Sequence, residues 1–142
     1  MNYDFQQTRF SRSVLSGLAT GTIVIIASLL YNYIYRNITD FTVSWIVNVT
    51  SIIFSSFIVC VIGGILFYLI VPYWQKNKLI YTALFVILTI VFILIGLSSH
   101  RSPDPAISQH FRVLFIGDVC IIGFSCAFLI PWFALHKNAF FD

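Results

Sequence analysis

Glutamate is absent from this chain of 142 residues, and all charged residues together make up only 9% of it. A soluble domain carries about 25% charge, so water cannot wet most of this surface. Cysteine is scarce as well: Cys60, Cys120 and Cys126 form no CxxC pair and have no histidine at zinc-ligand spacing. That argues against a thioredoxin-like motif or a structural metal site, and small apolar cysteines suit ordinary helix packing. Missing too are a nucleophile–base–acid set, a glycine-rich phosphate loop and paired carboxylates. No catalytic residue, metal or cofactor is therefore predicted, and the chain is expected not to be an enzyme.

What the chain has in abundance is apolar length. Hydrophobic residues make up 59% of it, and its mean hydropathy is +0.94. Four runs, 14–35, 43–71, 79–97 and 113–135, are each long enough to cross a bilayer. A span takes about 20 mainly apolar residues, since the hydrocarbon layer is about 30 Å thick and a helix rises 1.5 Å per residue. The fold class predicted is all-α: an integral membrane protein, a single domain built as an antiparallel bundle of four transmembrane helices. Little chain remains outside the spans, so function is expected in the helices or their short connections. Arg9 and Arg12 precede the first run as in a secretory signal. That run is too long for a signal core and lacks a small-residue cleavage site, so a retained first span is expected.

The net charge of +3 comes from basic residues at span ends rather than from one patch, which favours membrane topology over nucleic-acid binding. Five of them (Arg9, Arg12, Lys76, Lys78, Lys137) fall on the side of the termini, and three (Arg36, Arg101, Arg112) on the other. Both termini are therefore expected in the cytoplasm. Tyrosine and tryptophan mark both interfaces. The second run is longer than one crossing, and Ser44, Asn48, Ser51 and Ser55 share a helical face. A continuous tilted helix from about Phe41 to Pro72 is thus predicted. Val59-Cys60-Val61-Ile62-Gly63 resembles Val119-Cys120-Ile121-Ile122-Gly123 sixty residues later, as a duplicated hairpin would.

Lipid is as apolar as leucine, so small residues and interhelical hydrogen bonds must hold the helices together. Gly17 and Gly21, the stripe of Ser44, Ser51 and Ser55, then Gly63, Gly64 and Gly123 are the packing candidates. The third run has few small or polar residues and is expected to be the most lipid-exposed. Asp118 is the only ionisable residue well inside a span. An acid there costs roughly 2.5–3.5 kcal/mol on insertion scales and normally faces a partner or a cavity. Asn32, Arg36, Asn48, Arg101, His110 and Arg112 fall toward the same end of the bundle. The last three belong to a 98–112 connection read as a loop.

Two functional readings follow. In the first, these residues and Asp118 line an outward-facing polar pocket that binds or transports a small solute. In the second, Asp118 pairs with Arg36 or Arg101 and the protein is structural or accessory. It would then dock on a membrane partner, or on a second copy of itself, through small-residue helix faces. His100, His110 and Asp104 match no dedicated metal site, and the Asn37-Ile38-Thr39 sequon hugs the bilayer.

Overall fold

The structure, a computed structural model, describes residues 8–41, 48–71, 77–99 and 103–136. They form four helices, α1 (Arg9–Thr39), α2 (Val49–Ile70), α3 (Asn77–Ser98) and α4 (Pro105–Leu135). Each is long and apolar enough to cross a membrane, and no strand occurs among the described residues. The chain is a small multi-pass membrane protein with an all-α fold.

Contacts at the two ends fix the up-and-down order. At the end holding the termini, the Phe10 and Tyr68 rings meet edge-on at 5.2 Å, and the Asn77 side chain donates to the Ile70 carbonyl at 2.9 Å. At the opposite end, Tyr31 Oη donates to the Val113 carbonyl at 2.8 Å and Arg112 Nε to the Ser99 carbonyl at 3.1 Å.

Capping residues set helix boundaries that hydropathy alone misplaces. The continuous second helix predicted across Phe41 does not form. Phe41 is not helical, and α2 begins at Val49 because Asn48 is extended (φ −115°, ψ 169°) and its side chain accepts from Ser51 N. An N-cap of this kind satisfies an amide that the helix leaves unpaired. Upstream, α1 ends at Asp40 in the left-handed region, φ 51°. The predicted 98–112 loop is likewise corrected, since α4 already starts at Pro105. Asp104 accepts from Ala106 N, and the proline sits where its missing N–H costs nothing. His110 and Arg112 are therefore helical. The two hairpins are not copies in length either: α1 and α2 have 31 and 22 residues, α3 and α4 have 22 and 31.

α1 meets α2 most extensively, α4 touches all three other helices, α2 and α3 barely meet, and α1 and α3 do not. The buried stripe of α1 is Ser13, Ser16, Gly17, Thr20, Gly21, Val24, Ser28 and Asn32, a helical repeat almost without bulky apolar groups. Opposite it, α2 buries Ile52, Ser56, Cys60, Gly63, Gly64 and Phe67. The backbones nearly touch there. A Cβ at Gly17 would lie 2.6 Å from the Cys60 carbonyl oxygen, and one at Gly64 the same distance from that of Ser13. α3 buries only Tyr81, Phe85, Thr89 and Gly96, fewer than any other helix per length of span.

Pro131 lies inside α4, four residues before its end, and is buried. It cannot donate to the carbonyl of Ala127 four residues back. Thr82 of α3 fills the gap, its hydroxyl donating to that oxygen at 3.2 Å. Close by, the fully buried Tyr81 hydroxyl is shared between the carbonyls of Gly63 (3.2 Å) and Cys126 (3.3 Å). It joins α2, α3 and α4 toward the terminal end.

Two outcomes test this packing by unfolding in mixed micelles. Gly64→Ala lowers stability by about 1–3 kcal/mol because backbone must move. Gly21→Ala comes no nearer than 3.3 Å to any neighbour, the Cys60 Cβ, and costs less; equal losses would contradict the backbone contact. Thr82→Val destabilises the native chain by roughly 1 kcal/mol but has little effect in a Pro131→Ala background, where the Ala127 carbonyl regains its amide donor. An unchanged Thr82→Val cost in that background would remove the assigned role.

Candidate functional site

Because α2 and α3 part beyond Gly63 and Tyr81, a cleft of about 360 Å³ lies between them. Its walls are Ser51, Ile52, Ser55 and Val59 of α2 and Phe85, Leu88, Thr89 and Phe92 of α3. Its floor is Phe115, Asp118, Val119, Ile122 and Gly123 of α4. The surface is almost wholly apolar. Two of its hydroxyls turn back on their own helices, Thr89 Oγ1 donating to the Phe85 carbonyl at 2.7 Å and Ser55 Oγ to that of Ile52 at 3.2 Å. This is the usual resort of Ser and Thr inside a helix. The one charged residue lining the cleft is Asp118.

Asp118 is 8% exposed and Asn32 5%. Asn32 Nδ2 donates to both carboxylate oxygens, at 3.0 and 2.9 Å, and to the Ser28 carbonyl one turn back at 3.1 Å. The Ser28 hydroxyl stands beside the carboxylate without the geometry of a bond, and the charge of Arg36 acts on it from one turn further along α1. Asp118 is thus the cleft residue that also reaches α1. The buried Asn32 Oδ1 has no hydrogen-bond partner. Each carboxylate oxygen has two lone pairs, so the cluster holds more acceptors than donors.

The other residues singled out from the sequence lie elsewhere. Asn48 is exposed and caps α2. His110 Nδ1 bonds the Tyr35 hydroxyl at 2.8 Å, and its ring stacks on Phe41 at 4.8 Å. Arg112 holds the end of α3 through Ser99. Arg101, His100 and Ser44 lie outside the described residues. Of the expected polar pocket, then, only Asp118 lines the cleft, and its walls are apolar. Ser51 and Ser55, expected to pack between helices, are exposed on the cleft wall, and Ser56 takes the buried position. Gly17 and Gly21 meet α2 within the same chain. A Cβ on Gly123 would overlap Thr89, and one on Gly117 would overlap the ring of Tyr31.

The sequence does not reveal the cross-helix contacts of Tyr81, Thr82, Thr89 and Gly117. Gly117 directly precedes the intramembrane acid, and that adjacency was the available signal. Thr82 becomes meaningful only once Pro131 is placed beside it.

The Asn32–Asp118 contact makes a specific energetic prediction. Asn32→Leu strands a buried carboxylate and destabilises by about 1–3 kcal/mol or more. Adding Asp118→Leu removes the stranded group and recovers at least half of that loss. A double variant as unstable as the sum of the singles would show that the two side chains act independently.

No protein-family model matches the chain, no curated protein is significantly similar to it, and no solved structure matches it significantly.

Proposed function

We propose that this membrane protein binds a lipid-soluble molecule in the cleft between α2 and α3, and that it acts by binding rather than by catalysis. The observation that carries the reading is an apolar cleft of about 360 Å³ with a single carboxylate in its floor. That volume is at the small end of ligand pockets, and its walls suit an alkyl or ring body. The chemistry of the head follows from Asp118 and Asn32. Asp118 lines the cleft with lone pairs to spare, and the Asn32 amide behind it has its N–H groups already engaged, so the head must donate hydrogen bonds, as an amine or hydroxyl does. A carboxylate or phosphate head would face like charge and an unmatched acceptor.

The excess of Lys and Arg near the termini supports placing both ends in the cytoplasm, which puts the cleft toward the outer leaflet. The accessory reading needs a free small-residue face. Gly17, Gly21 and Gly64 are engaged inside the bundle, which counts against that use of them.

Binding is tested in lipid nanodiscs with decylamine carrying a photoreactive diazirine. Labelling is expected to saturate, to map to cleft residues such as Val59 and Leu88, and to be competed by decylamine but not by decanoate. Asp118→Asn is expected to weaken binding about tenfold or more, since a hydrogen bond to a charged group contributes about 1.5–3 kcal/mol. Equal competition by decanoate, or labels spread evenly over the lipid-facing surface, would refute the proposal.

A further inference from the structure

In the closed part of the bundle two thiols meet. Cys60 of α2 and Cys126 of α4 place their Sγ atoms 3.5 Å apart, and neither residue has any exposed surface. Both are free cysteines. They are held in place from two sides: a Cβ at Gly21 of α1 would come within 3.3 Å of the Cys60 Cβ, and the Tyr81 hydroxyl bonds the Cys126 carbonyl. The sequence likeness aligned Cys60 with Cys120, but the thiol that faces Cys60 is Cys126, and Cys120 is only half-buried.

We propose that Cys60 and Cys126 form an intramembrane redox site, a dithiol that a peroxide converts to a disulfide joining α2 to α4. One cysteine gives up its thiol proton as its sulfur attacks a peroxide oxygen, and the O–O bond breaks. The thiol proton leaves with the departing hydroxide as water, and a sulfenic acid remains. The second thiol attacks that sulfur, forms the S–S bond and releases hydroxide, which takes the second proton. Two thiols and one hydrogen peroxide thus give one disulfide and two waters, and the two electrons lost by sulfur reduce the peroxide.

Hydrogen peroxide suits the site because it is neutral and little larger than water, so it enters a closed apolar core more readily than a protein thiol or glutathione. A disulfide needs sulfurs about 2.05 Å apart, so the pair closes by about 1.5 Å in total. The bond would add a covalent tie between two helices that otherwise share few contacts. Val59, next to Cys60, and Ile122 and Gly123, a turn before Cys126, line the cleft. Oxidation would therefore tie a wall of the cleft to its floor. The site is separate from Asp118, so its failure leaves the ligand proposal standing.

The full chain in nanodiscs is treated with hydrogen peroxide, unfolded, alkylated with N-ethylmaleimide and weighed intact. The three cysteines are expected to take three labels before oxidation and one after it. A Cys60–Cys126 linked peptide should appear, and dithiothreitol should restore three labels. After oxidation Cys120→Ser takes none, whereas Cys60→Ser and Cys126→Ser each keep two. Three labels on the oxidised native chain, or a linked peptide containing Cys120, would overturn the proposal whether or not any variant folds.

Discussion

Backbone contact between α1 and α2 governs the rest of the bundle. Gly17 and Gly64 leave no room for a Cβ on either helix, and in a bilayer this dispersion contact is the main attraction two apolar helices can have. It commits the small-residue face of α2 to α1. What α2 then turns toward α3 is a mixture of Ser51, Ser55, Val59 and larger apolar side chains that lipid solvates well. The two helices meet near Gly63 and Tyr81 and part beyond them, and the cleft is the space they leave. A cavity of this kind follows from where the glycines lie on α2, with no need for a dedicated set of pocket residues.

Backbone hydrogen bonding imposes the second constraint, because a bilayer offers no water to an unpaired carbonyl. Pro131 creates one such carbonyl, and Thr82 satisfies it across the α3–α4 contact. Ser13, Ser16 and Thr89 bond their own helices instead, donating to the carbonyls of Arg9, Arg12 and Phe85. The described polar residues therefore fall into two kinds. Most are small fillers that let helices approach, and a few tie one helix to another, among them Tyr31, Tyr81, Thr82, Asn77 and the Asn32–Asp118 and Tyr35–His110 pairs.

This division explains what the sequence made legible. Four spans and their alternating order follow from apolar run length, which lipid thickness dictates. Hydropathy alone misplaces the helix starts because it runs past the capping residues, and Asn48 and the Asp104-Pro105 pair are the local start signals that override it. Polarity is a poor guide to the buried face of α2, because residue size decides what packs. Ser51 and Ser55 share a face with Asn48, but the face that packs is the small one running Ser56, Cys60, Gly63, Gly64. Asp118 stood out on charge alone. Its partner Asn32 was in view too, but the α1–α4 contact that joins them is set by three-dimensional packing and leaves no local trace.

The carboxylate at position 118 is harder to justify as a clamp than as a ligand group. An acid within a span costs roughly 2.5–3.5 kcal/mol, while an interhelical hydrogen bond in a membrane protein returns about 0.6 kcal/mol on average and at most about 1.7. Asn32 supplies its two bonds through a single nitrogen, and at the average return of about 0.6 kcal/mol each they fall short of that cost. The field of Arg36 offsets part of the remainder. An asparagine at 118 could accept from Asn32 with no charge to desolvate, and would pin α1 to α4 at lower cost. What the acid adds is charge and spare lone pairs at the floor of an apolar cleft, which are the features the proposed donor ligand would use.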